Sequence, residues 1–309
     1  MTMIEMQDVD AYLESILDID KRAMVRGWFA ETERVFDLID KSIGAEISHP
    51  EIRIKHSGVI QAEASPYVIY IDSSLIEYCL HIEPISFNKL LVLNQAMWLY
   101  QPTHINSLLN KSFIESDEEK PDVKKMFFVW IISHEYSHLV RKHTAIELSS
   151  FDNQLLVVSA TELDADRCAT VAVFRYIAIY FGQIYDEFQI KFLVVYSLFW
   201  GIRFLAEDLD CRDHPPFVNR FFEIIYKTSH LKISGKNDFN FENIETQEIL
   251  NELSKSTIIF EVILQQMHKN LKKNFISELV DYLGRSNRDV DKKWDEIKPT
   301  ISKVSQTPT

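Results

Sequence analysis

Residues 124–143 carry Met126, Phe127, Phe128, Trp130, Ile131, Ile132, Leu139 and Val140, and in their midst stand His134-Glu135-Tyr136-Ser137-His138. A helix apolar on most of its circumference is a buried helix. Two imidazoles and a carboxylate are costly in such a place unless a metal or another partner meets them. At about 100° per residue, His134 and His138 lie one turn apart on the same side and direct their rings at one point. A single divalent ion satisfies both. Glu135, the next residue after the first imidazole, swings off the ligand axis but keeps its carboxylate where a bound water would sit, which is the position of a general base. The run is an H-E-x-x-H motif, and one Zn²⁺ per chain is the expected cofactor.

A catalytic zinc takes three protein ligands and a water, so a third side chain must come from elsewhere in the fold. The candidates downstream are His143, Glu147, Asp152, Glu162 and Asp164. His143 lies five residues after His138, about 140° round the helix from it, a poor place for a ligand of the same ion; a surface position or a supporting one follows. Glu162 is the better choice, because Asp166 follows it at i+4 and offers a second carboxylate for the free N–H of a ligand histidine. The competing reading makes Glu162 and Asp164 an exposed face shared with Arg167.

Only 7 Gly and 9 Pro interrupt 309 residues, so long helices should outnumber tight turns. With 46% hydrophobic and 26% charged residues the composition is globular. The expected class is α+β, predominantly helical, with a small mixed sheet. Residues 8–42 have helical spacing and read as one or two helices; residues 51–56 alternate as a strand, Ser57-Gly58 turns the chain, and residues 67–71 form a second strand. Asp72-Ser73-Ser74 caps a helix over 75–81. Residues 87–100 form another apolar helix, and the acidic stretch 115–122 an exposed loop. Residues 159–173 form a helix, with core helices over 168–182 and 190–206, neither long enough in apolar residues to span a bilayer. One or two amphipathic helices follow over 244–283, and 302–309 is a frayed tail. This gives an N-terminal helical segment at 1–45, a catalytic domain at 46–233 and a C-terminal helical region at 244–309.

A net charge of −13 argues against nucleic acid or an anionic membrane surface as partner. Cys79, Cys168 and Cys211 show no C-x-x-C spacing, and residues 1–10 have no signal-peptide pattern, so a soluble, cytoplasmic protein is expected.

Three stretches, taken together, resemble a known series. His134-Glu135-Tyr136-Ser137-His138 with His143, then Glu162-Leu163-Asp164-Ala165-Asp166-Arg167, then His214-Pro215-Pro216 with Arg220 resemble the motifs of M48-type gluzincins, the Ste24/HtpX-like metallopeptidases. Phage-exclusion peptidases of the Lit type share H-E-x-x-H in chains of similar size, and the motifs do not separate the two. Either resemblance implies a zincin-like domain and peptide-bond hydrolysis. It implies zinc held by His134, His138 and Glu162, Glu135 as base, and Asp166 supporting a ligand. It also implies a sheet, containing the 67–71 strand, whose edge aligns extended substrate. By the same resemblance His214 would stabilise the tetrahedral oxyanion, and Arg220 would brace that loop or meet substrate; a His before two prolines is equally a rigid corner without chemistry. Gln61-Ala62-Glu63-Ala64 only loosely resembles the family's N-A-x-A stretch. The partner implied is a protein or peptide substrate. The rival reading is a regulatory or interaction protein with a silent zincin site.

Overall fold

A strand whose alternate residues are isoleucine needs an apolar floor on one side, and this sequence supplies two such strands. In the computed structural model, which describes residues 6–43, 48–86, 120–146, 154–208, 217–235, 243–268 and 271, they are β2 (Glu51–Lys55) and β4 (Val68–Asp72). They pair in parallel with Ile52 opposite Ile69 and Ile54 opposite Ile71. Ile54, Ile69 and Ile71 are fully buried. Between them in sequence comes β3 (Ala62–Ser65), antiparallel to β4, and β1 (Met6–Asp8) lies antiparallel to β2 on the other side. The sheet is mixed, in the order β1-β2-β4-β3.

The strand expected at residues 67–71 is in the sheet, at 68–72. That strand is internal, and the edge beside the helix that carries His134 and His138 is β3. Tyr67 is outside the strand: with φ 71° it sits in the hairpin turn after Pro66. β1 and β3 escape a sequence reading because one is three residues long and the other is Ala-Glu-Ala-Ser, a composition of weak strand propensity.

Asp72 closes β4 and opens α4 (Ser73–His81), accepting from Ser74 N at 2.9 Å and from Ser57 N at 2.8 Å. Burial opposes its ionisation, but the Ser57 and Ser74 donors hold the carboxyl below its usual range. The stability it contributes is therefore complete above the ordinary carboxylate pKa of about 4 and is lost as pH falls through the lower folded value. Replacing Asp72 with Ala should cost about 2 kcal/mol at neutral pH. Urea unfolding of both proteins across acid pH checks this: the gap must narrow on acidification.

The N-terminal part forms three helices, α1 (Val9–Ser15), α2 (Ile19–Phe29) and α3 (Thr32–Ile43), against the expected one or two. Trp28 and Phe29 pack on Phe128, and Phe36 on Tyr136, which places these helices against α5 (Val123–Val140). α5 is the centre of the molecule. Asp122 caps it through Lys124 N, and every residue from Met126 to Ser137 is buried. Around it stand α3, α4, α6 (Gln154–Phe181) and α7 (Glu187–Asp208). Gly201 of α7 is required for close approach, since a Cβ there would lie 2.2 Å from the Phe127 ring. The helices expected at 159–173 and 168–182 are one continuous helix, α6.

α8 (Phe217–His230) docks on α6 through Arg167–Glu223 and Arg220–Asp166, and α9 (Ile244–Met267) covers α7 and α8. Among the described residues no helix is long and apolar enough to cross a membrane. The helix expected at 87–100, most of the acidic loop, Glu147, Asp152, His214 and the tail at 302–309 lie outside the described residues.

Candidate metal centre

The residues between the two motif histidines explain how α5 tolerates its polar content. Ser133 and Ser137 donate to carbonyls one turn back, Val129 O at 2.7 Å and Ser133 O at 2.6 Å, so their hydroxyls are satisfied within the helix. Tyr136 faces the other way, its ring on Phe36 and its hydroxyl donating to Asp40 at 2.7 Å. That leaves His134, Glu135 and His138 to face a cleft.

α6 runs antiparallel to α5, and the two meet where their polar residues are. His134 Nε2 and His138 Nε2 are 3.1 Å apart, and each lies 3.3 Å from one oxygen of Glu162. These three side chains form a group that could hold a metal ion. Zinc bonds to nitrogen and oxygen of about 2.0–2.2 Å imply tetrahedral edges of about 3.3–3.5 Å between ligand atoms; the two imidazole–carboxylate separations, which end on different oxygens of Glu162, meet that spacing, and the two imidazole nitrogens are slightly closer. The donor chemistry agrees, with two imidazoles and one carboxylate meeting in a largely buried place.

The electrostatics of the group favour a cation. Burial works against protonating His134, yet the carboxylates of Asp166 and Glu162 outweigh it and push the imidazole up to about 10. A site that draws a proton this strongly in the absence of metal is one that draws positive charge. His134 Nδ1 lies 2.9 Å from Asp166 Oδ1, oblique to the ring N–H. Asp166 is fully buried and accepts from Arg220 Nε and Nη2, both at 2.7 Å. Burial would raise that carboxyl; Arg220 first, then His134, hold it below its usual range. The Arg220 guanidinium also lies over the Trp130 ring at 5.5 Å, and Trp130 packs on His134 at 5.6 Å.

Residues 96–236 match the family model of Peptidase U49. No curated protein and no solved structure matches the chain. The Peptidase U49 match spans α5 to α8, so it includes His134, Glu135, His138, Glu162, Asp166 and Arg220, and the sheet lies outside it. It points to a peptidase over the part of the chain that carries the candidate metal group.

The structure brings together His134, His138, Glu162 and Asp166 as the spacing suggested, and it ties Arg220 to Asp166. The competing account of Glu162 and Asp164 as an exposed face with Arg167 fails, because both acids are buried and Arg167 bonds Glu223 at 2.7 Å. The surface alternative for His143 fails too. α5 stops at Val140, Lys142 takes φ 55°, and a 3-10 turn at His143–Ala145 carries His143 back into the interior. There its Nδ1 lies 3.1 Å from His138 Nδ1 and its Nε2 3.2 Å from Asp164 Oδ2. Asp164 also meets Arg141, at 2.9 Å from Nε. Burial keeps His143 below the usual imidazole value. Nothing in Arg141-Lys142 announces the break, since neither residue is one that favours a left-handed backbone.

A cleft of about 430 Å³ opens over the group. Its walls are Ala62, Glu63 and Ala64 of β3, Thr144 and Ile146 after α5, and Val157, Val158 and Thr161 of α6, with Glu135 and the three candidate ligands at its base.

Proposed function

We propose that this protein is a zinc metallopeptidase of the gluzincin type, with His134, His138 and Glu162 as ligands of one zinc ion and Glu135 as general base. The observation that carries the reading is a pair of imidazole nitrogens 3.1 Å apart, each 3.3 Å from a different oxygen of the one Glu162 carboxylate, at the base of an open cleft. The Peptidase U49 match, which corresponds to the Lit-type peptidases, supports the same class of chemistry.

Bound there, zinc would acidify a water and polarise a carbonyl oxygen. The remaining work falls to the chain. Glu135, nearly buried beside the first ligand, accepts the proton of the attacking water and hands it to the leaving amine. Asp166, clamped by Arg220, fixes the His134 ring. β3 is bonded to β4 alone among the described strands and lines the cleft, so its other edge offers backbone groups to an extended substrate. His214 is assigned to the oxyanion by resemblance alone. A protein or peptide is the substrate class.

The test is metal analysis of the purified full chain, together with mass spectrometry of peptides released from a proteome-derived library. Stoichiometric zinc, with cleavage lost to a chelator and restored by added zinc, is the expected result. Zinc without hydrolysis of any peptide would sink the enzyme and leave a silent zincin-like regulator.

A further inference from the structure

The two candidate histidine ligands are supported differently. His134 Nδ1 meets a carboxylate directly, whereas His138 Nδ1 meets a third imidazole. We propose that His143 and Asp164 form a positioning relay that fixes the ring orientation and tautomer of His138, and so sets its strength as a metal ligand. This rests on the metal reading above.

The direction of each proton follows from the contacts. An imidazole that offers its Nε2 lone pair to an ion carries its proton on Nδ1. In His138 that proton points at His143 Nδ1, 3.1 Å away, which must therefore be bare. His143 then holds its proton on Nε2, which donates to Asp164 Oδ2 at 3.2 Å. Arg141 donates to the same carboxylate from Nε at 2.9 Å, with Nη2 3.5 Å from the other oxygen, and maintains it as an acceptor. Any other arrangement either sets two N–H groups against each other at 3.1 Å or moves the His138 proton to Nε2, where it blocks coordination. His143 and Asp164 are both buried, so water does not compete for these positions. The break at Lys142 now has a consequence: it swings the third histidine off the helix path and behind the second.

The test separates the two ring nitrogens of His143. In His143→Asn the amide oxygen takes the place of Nδ1 and still accepts from His138. In His143→Gln the amide takes the place of Nε2, reaching Asp164 but leaving His138 with no acceptor. Zinc affinity of the full chain, measured by chelator competition, should fall about 10–100-fold for His143→Gln and stay close to wild type for His143→Asn. His143→Leu, which fills the space without any acceptor, should repeat the loss. A residue that only packs would give the opposite order, since Gln and Leu preserve volume better than Asn. Equal affinity in wild type and His143→Gln, or equal loss in His143→Asn and His143→Gln, overturns the relay. A wild-type chain that binds no zinc overturns the metal reading and the relay with it, a result distinct from either.

Discussion

Glu135→Gln is expected to lower peptide cleavage by about 10²–10⁴-fold while zinc stays bound at one ion per chain. The substitution is nearly isosteric and removes only the capacity to accept a proton. Glu135 is not one of the three candidate ligands, so the donor set for the ion is unchanged. The neighbours that fix the ligands, Asp166 behind His134 and His143 behind His138, are also unchanged. Binding and chemistry should therefore separate in this one variant. The measurement is kcat/KM on a peptide recovered from the library, beside metal content of the same preparation. Full activity in Glu135→Gln would remove it from the base role; loss of zinc would mean instead that it helps to build the site.

What could be read from residue order, and what could not, divides along the range of the interactions. His134, His138, Glu162 and Asp166 were legible because each pair repeats at i+4 on a helix, a rule that local geometry enforces. That the two helices would present these faces to each other was an inference from chemistry: four buried polar groups need a common partner. The burial of α5 was legible from its apolar circumference. The edge strand was not, because Ala62 to Ser65 carries no β-branched or aromatic residue, and its strand conformation comes from pairing with β4. Nor was the choice between a surface and a supporting position for His143. An ideal helix extended past Val140 does not choose between them, because the chain leaves that path at Lys142, whose φ is 55°. The helices read at 159–173 and 168–182 overlap in sequence, and the structure joins them as α6. Arg175, within that helix, donates to Lys232 O and Ile233 O at 3.0 Å.

The second large effect lies away from the cleft. Arg203 of α7 and Glu261 of α9 are 2% and 0% exposed and form a two-bond pair, Nε to Oε2 at 2.8 Å and Nη2 to Oε1 at 3.0 Å. Gln265 donates to the same carboxylate at 2.8 Å, and Phe217 of α8 lies under the guanidinium. Removing one partner leaves an uncompensated charge in the core, so Arg203→Met or Glu261→Leu alone should cost about 3–5 kcal/mol. Removing both takes away the attraction and both desolvation penalties together, and the double variant should return to within about 2 kcal/mol of wild type, or exceed it. Equilibrium urea unfolding of the four proteins gives the coupling directly. Additive losses would show that the pair contributes through packing alone, since only a charge left without its partner makes the single changes worse than the double one.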